Sequence, residues 1–289
     1  MKLYKEYDRH SIRAIIESGL KRDLHMHTNF SDGTQSPEKL LKLRMEQGYE
    51  MLAITDHDGI DGSVIGEKFA EKTGLCYIAG IEFDSEDPLG KDLHILGYGY
   101  DKNNKDFREA LLEIRIKRAR RNDLLMKALN DRGYNITLDD VGSINKGRYV
   151  GKPTFAYILY LNGYTHNPNE AFKTIFQDED IKGIKKETLS SKDVVDIIHT
   201  AGGMAVMAHP MEQRKAGESF EDFKPRMYQI MDRMREYGID GIECYHPSAS
   251  PEQSELLVEY ADRHSLMITE GSDVHSPNHL RDYSRYHLP

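Results

Sequence analysis

The sequence predicts an α/β protein, built on a parallel sheet or barrel and interrupted by a mainly helical insertion. Three observations predict it. Apolar runs of strand length alternate with helical stretches, the pattern of βα units whose strands are buried on both faces. Seven such runs are found, and most of them end in a histidine or a carboxylate. Between residues 102 and 189 the rhythm stops and the chain is almost free of strand patterns.

Residues 1–22 read as a charged N-terminal extension with a short helix around Ser11–Ser18. Asp23–Met26 is the first strand. Ser36-Pro37-Glu38 then supplies an N-cap, a proline at the first helical position and an acid in the first turn. That helix runs over 37–47 and stops at Gly48. The buried-type run Met51–Ile54 ends in Thr55-Asp56-His57-Asp58-Gly59. A helix over 62–72 follows, then the strands Tyr77–Ile81, ending in Glu82, and His94–Tyr98, which begins with His94. The insertion, residues 102–189, opens with a long helix over 104–132 and is expected to cover the mouth of the sheet. Past it the rhythm resumes. A helix capped at Ser190 or Ser191 runs through His199, and the strand Met204–Ala208 ends in His209-Pro210. The helix Phe220–Tyr237 precedes the strand Ile239–Cys244, which ends near His246. The helix Pro251–His264 precedes the strand Leu266–Thr269, which ends in Gly271-Ser272-Asp273-Val274-His275. The repeating units thus occupy 23–101 and 190–289.

Composition narrows the function. The chain has 289 residues, 38% hydrophobic and 30% charged, which fits a soluble globular protein. No apolar run reaches membrane-spanning length and no signal peptide is visible, so a cytoplasmic enzyme is expected. A net charge of -9 argues against general nucleic-acid binding through bulk charge, so no stable nucleic-acid complex is expected. Two cysteines make neither a disulfide framework nor a cysteine-rich zinc site.

The chemistry is carried by the strand ends. On a strand, residues i and i+2 point to the same side, so His25 and His27 can converge on one ion. Asp32 follows in a Ser-Asp-Gly turn that folds back toward them. Imidazole with carboxylate suits zinc, manganese or iron. An isolated histidine pair would read as a wet strand face. Here six of the 13 histidines (His25, His27, His57, His209, His246 and His275) fall at successive strand ends, where barrels gather catalytic groups.

Taken together, His25-Met26-His27 with Ser31-Asp32-Gly33, Thr55-Asp56-His57-Asp58, Gly80-Ile81-Glu82, His94 with Gly97-Tyr98-Gly99, Ala208-His209-Pro210 and Gly271-Ser272-Asp273-Val274-His275 resemble the motifs of the polymerase and histidinol phosphatase (PHP) family, in order over roughly 23–276. The resemblance implies a distorted seven-stranded TIM-like β/α barrel holding three divalent metal ions (Mn, Fe or Zn). His25, His27, Glu82 and Asp273 would take the first ion. Glu82, His94 and His209 would take the second, and Asp32, His57 and His275 the third. Asp32 stands where some members have histidine, and its charge favours manganese or iron(II) over zinc. Gly151-Lys152-Pro153 and the Ala201-Gly202-Gly203 lead further resemble the nucleotide phosphatases and 5′-to-3′ exonucleases of that family. The expected activity is hydrolysis of nucleotide phosphoesters, namely 3′,5′-bisphosphates, nucleoside monophosphates or the 5′ end of short oligonucleotides, by metal-activated water. An amidohydrolase-type reaction and an inactive metal-stabilised binding module are the alternatives.

Weaker signals surround this set. His246 is a candidate proton donor, and Arg148 and Lys152 sit in a glycine-containing loop suited to phosphate. The basic run 115–121 reads as a charged helix face paired with Asp106, Glu109 and Glu113, with guidance of a polynucleotide backbone as the alternative.

Overall fold

The computed structural model describes residues 9–90, 92–145 and 149–276. In chain order its elements are α1 (Arg9–Ile16), β1 (Arg22–Asp23), α2 (Pro37–Glu46), β2 (Met51–Leu52), α3 (Asp61–Thr73), β3 (Cys76–Tyr77), β4 (Gly80–Glu86) and β5 (Leu93–Tyr98). Next come α4 (Lys105–Asp131), α5 (Leu138–Asn145), α6 (Lys152–Leu161), α7 (Pro168–Lys173) and α8 (Glu179–Lys182). The remainder is β6 (Leu189–Ser190), α9 (Ser191–Thr200), β7 (Met204–Met207), α10 (Phe220–Tyr237), β8 (Gly241–Tyr245), α11 (Pro251–Arg263) and β9 (Met267–Glu270). The chain divides into two compact units, residues 1–110 with 189–289, and residues 111–188.

The first unit is an α/β structure with two sheets, ordered β1-β2-β3 and β6-β4-β5-β7-β8-β9. Backbone hydrogen bonds run from Leu24 N to Glu270 O and from His27 N to Val274 O at one margin, and from Glu82 N to Asp56 O at the other. Side chains from β2, β3, β5, β7 and β9 share one core with Leu24 just past β1, among them Met51, Cys76, Leu96, Val206 and Met267. Ile12 and Ile16 of α1 are buried in that same core, so the short helix of the N-terminal extension packs on the first unit. Burial of two isoleucines outweighs the charge around them, at about 1.5–3 kcal/mol each.

Two expectations need correction. The first concerns strand number: nine short strands are assigned among the described residues where seven runs were counted. The Tyr77–Ile81 run divides between β3 and β4, so Glu82 lies inside β4, and β6 was not foreseen. The second concerns direction: β5 runs antiparallel to both β4 and β7. Residues 87–92 are too few for a helical crossover, so the chain returns as a hairpin. This explains His94. Because β5 is reversed, its first residues lie where the parallel strands end.

The second unit is helical, with no strand among its described residues. Leu125 and Leu129 of α4, Phe155, Ile158 and Leu159 of α6, and Phe176 and Ile181 beyond them make its own core. No helix among the described residues is long and apolar enough to cross a membrane.

Candidate metal centre

Past β1 the extended chain places His25 and His27 on one side. It is held there by Asp273 N donating to His25 O (2.8 Å) and His27 N donating to Val274 O (3.0 Å). The turn that carries Asp32 hangs on Asp56. That buried carboxylate accepts from Thr28 N (2.7 Å), Thr28 Oγ1 (2.6 Å) and Ser31 Oγ (2.6 Å). Gly33 closes the turn through its N–H to Thr28 O (2.9 Å), and any Cβ at Gly33 would overlap the His27 carbonyl. Asp56→Ala strands three buried donors, each costing about 1–3 kcal/mol. A loss of at least about 3 kcal/mol in urea unfolding is expected. An unchanged denaturation midpoint would show that the turn stands without Asp56.

Glu82 is the centre of the site. It is buried and surrounded by imidazoles: its Oε1 lies 2.9 Å from His94 Nδ1, 3.1 Å from His209 Nε2 and 3.3 Å from His25 Nε2. Its Oε2 lies 3.2 Å from both His27 Nε2 and His57 Nδ1. Asp273, at a φ of +49°, turns Oδ1 toward His27 Nε2 (3.0 Å) and His25 Nε2 (3.5 Å), and Oδ2 toward His246 Nε2 (3.4 Å). Asp32 reaches His275 Nε2 (3.2 Å) and His57 Nε2 (3.8 Å). All nine expected ligands therefore meet in one cluster. His25, His27 and Glu82 offer atoms within 4.8 Å of one another, and so do His27, Asp32, His57 and His275. The turn thus folds Asp32 back toward His27, 3.8 Å from its Nδ1, although the family resemblance assigns the two residues to different ions.

The donor set fits cations. His25 Nε2, His27 Nε2 and Glu82 Oε2 are buried and make no hydrogen bond, despite neighbours at 3.0–3.5 Å. Buried polar atoms left so are costly, and lone pairs gathered on common points are what a divalent ion uses. Without cations, protons fill the role. Burial opposes charge on His25, His27 and His94, yet the surrounding carboxylates outweigh it and push all three upward, His94 to about 9. Glu82 is likewise held well below the usual carboxylate range, its burial overridden by His25, His57 and His94.

A family model for the PHP domain matches residues 23–244. The chain belongs to the PHP family. It is 29% identical to a 5′-3′ exoribonuclease of Haemophilus influenzae, over 89% of this chain and 90% of that protein. It is 28% identical to a phosphoribosyl 1,2-cyclic phosphate 1,2-diphosphodiesterase of Eggerthella lenta, over 88% and 93%. It is 27% identical to a 3′,5′-nucleoside bisphosphate phosphatase of Chromobacterium violaceum, over 88% and 87%. Among solved structures, a Bifidobacterium adolescentis chain described as a metal-dependent phosphoesterase superposes with a TM-score of 0.75 at 29% identity, covering 93% of this chain and 96% of its own. The protein is accordingly a PHP-type metal-dependent phosphoesterase.

The matched span ends before His246, Asp273 and His275, yet the fold sets both histidines against Asp273, whose Oδ1 in turn meets His25 and His27. His246 is buried, and its Nδ1 accepts from Ser248 N (3.1 Å). Arg148 lies outside the described residues, and Lys152 opens α6 in the second unit with its Nζ 5.8 Å from the Phe176 ring. In the basic run, Arg118 and Arg121 are buried, with Arg118 stacked 4.3 Å over the Tyr149 ring, and Lys117 pairs with Glu113 at 2.7 Å. A paired and packed helix face is therefore the better description.

Sequence reasoning missed two carboxylates. Asp84 Oδ1 lies 2.9 Å from His57 Nδ1, and Glu243 Oε1 lies 3.0 Å from His25 Nδ1. Both were legible in principle. Asp84 is two residues beyond Glu82 on one strand, hence on the same side. Glu243 is the lone charge in Gly241-Ile242-Glu243-Cys244-Tyr245, where a buried carboxylate requires partners.

Proposed function

We propose that this enzyme hydrolyses phosphoesters of nucleotides, namely 3′,5′-bisphosphates, nucleoside monophosphates or the 5′ end of short oligonucleotides, in the cytoplasm. Three divalent ions, manganese, iron or zinc, would be held by His25, His27, Glu82 and Asp273, by Glu82, His94 and His209, and by Asp32, His57 and His275. The carrying observation is the buried Glu82 carboxylate with five imidazoles around its two oxygens. The relatives that act on RNA 5′ ends and nucleoside bisphosphates support the substrate class. The hydrogen bonds at both sheet margins support reading the first unit as a distorted β/α barrel. When bound, the ions supply Lewis-acid chemistry, activating water and offsetting phosphoryl charge.

The chain's own groups complete the reaction. Accepting the Ser248 N–H at Nδ1 leaves His246 with its proton on Nε2, facing the Asp273 carboxylate. There it can hydrogen-bond a phosphoryl oxygen, and once Nδ1 also takes up a proton, which the Glu243 and Asp273 carboxylates favour against burial, the imidazolium can give its Nε2 proton to the departing alkoxide and return to neutral imidazole. His246→Gln is expected to slow poor leaving groups by about 10²–10⁴-fold and p-nitrophenyl phosphate far less. Equal losses on both would remove His246 from proton transfer. Arg148 and Lys152 are assigned to a second substrate phosphate on their chemistry, and Arg148→Ala should weaken turnover of bisphosphates but not of p-nitrophenyl phosphate. The reading as a whole is tested by a turnover screen of the manganese-loaded protein. Its substrates are nucleoside monophosphates, 3′,5′-bisphosphates, 5′-phosphorylated oligoribonucleotides, a ribose 1,2-cyclic phosphate and histidinol phosphate. Turnover confined to the last two would overturn it.

A further inference from the structure

Glu243 is fully buried on β8 and uses both of its oxygens. Oε1 lies 3.0 Å from His25 Nδ1, and Oε2 accepts the backbone N–H of His209 at 2.8 Å. These two partners come from separate parts of the sheet system, past β1 and past β7 respectively. His209 sits at a φ of +25°, a backbone region that residues with side chains rarely enter. Gly271 leaves room for the contact, because a Cβ there would overlap His25 Cβ and lie 2.7 Å from Glu243 Oε1.

The chemistry of this contact is directional. An imidazole that gives its Nδ1–H to a carboxylate turns its Nε2 lone pair to the opposite side. For His25 that side faces Glu82 at 3.3 Å and Asp273 at 3.5 Å. The second oxygen fixes His209 by its main chain, so that its ring meets Glu82 at 3.1 Å and His94 at 3.2 Å. We propose that Glu243 is a positioning residue that aligns His25 and His209 together, one through its ring and the other through its backbone. The role rests on the reading of those two histidines as metal ligands. A glutamine cannot replace it, since the NH₂ that takes the place of one carboxylate oxygen is a donor and cannot accept the N–H which that oxygen receives.

The test measures manganese uptake by equilibrium dialysis with metal analysis, on the full chain. Glu243→Gln should lower affinity by about 10- to 100-fold for the ions that His25 and His209 hold. The ion bound through Asp32, His57 and His275 should keep its affinity. Excess manganese should restore kcat with KM for substrate unchanged, because Glu243 does not reach substrate. Unchanged affinity in a variant that has only become less thermostable would overturn the proposal and leave Glu243 a structural residue. If the wild type takes up no manganese, it is the metal reading that fails first, and this role falls with it. Should Glu243→Gln not fold, ring ¹⁵N spectra of zinc-loaded wild type decide. A proton on His25 Nδ1 supports the assignment, and a bare Nδ1 overturns it.

Discussion

Glu82→Gln is expected to abolish two metal positions with one substitution. Glu82 is the only carboxylate among the described residues that lies within 3.3 Å of His25, His27, His57, His94 and His209 together. An amide offers a single acceptor oxygen and no charge, so the two ions that the proposed reading shares through Glu82 would lose their common ligand. On the proposed three-ion reading, bound manganese should fall from three per chain to one, and kcat/KM by at least about three decades, which corresponds to about 4 kcal/mol. The metal-free protein should also suffer. Breaking a buried ion pair by removing one partner costs about 3–5 kcal/mol, and here the carboxylate offsets several imidazolium charges at once. A variant that keeps three manganese ions and near-native activity would refute the central place given to Glu82.

The second large effect concerns pH and has opposite signs with and without metal. In the metal-free protein the carboxylates hold His25, His27 and His94 protonated against the pull of burial, with His94 raised from 6.5 to about 9. A group raised on folding contributes stability that is complete below its unfolded pKa and disappears as pH rises through the folded one. The EDTA-treated protein should therefore lose thermal stability between about pH 6.5 and 9. Metal ligation needs neutral imidazoles, so loading releases protons and strengthens over the same interval. The Tm gain on adding manganese should accordingly widen with rising pH. Calorimetric titrations in buffers of different ionisation enthalpy should show more than one proton released per chain. A Tm in EDTA that stays level or climbs over that interval would contradict the charge balance described here. In acid the direction reverses for the carboxylates. Glu82 and Asp273 are held low by the histidines despite burial, so their contribution is present above the ordinary carboxylate range and lost below it.

The sequence made the ligands more visible than the frame that holds them. Strand ends are marked by abrupt changes from apolar to polar residues, so His57, His209 and Asp273 stood out. Helix limits were also legible where caps are explicit: Ser36 and Ser250 accept from the third helical residue in their helices as their spacing suggests. Strand direction was hidden, because an apolar run carries no arrow. Only the brevity of 87–92 points to a hairpin. Ile12 and Ile16 were hidden by Arg9, Arg13 and Glu17 around them, since a short amphipathic helix looks charged in composition while one face is buried. His199 had no readable partner because Asp240, 2.9 Å from its Nε2, is 41 residues away. The carboxylates Asp84 and Glu243 were overlooked for a similar reason: their partners lie on other strands.

The β4–β5 hairpin has a consequence for how this chain tolerates change. Its register sets Asp84 opposite His94 and Glu82 opposite Leu96. Adding one residue inside either strand would turn Glu82 and Asp84 or His94 to the wrong face, because side chains alternate with period two. Added residues in the turn carry no such penalty, provided Asp87 keeps its bonds from Leu89 N and Tyr237 Oη. Length variation should therefore collect around Gly90, whereas the strands on either side behave as a fixed reading frame.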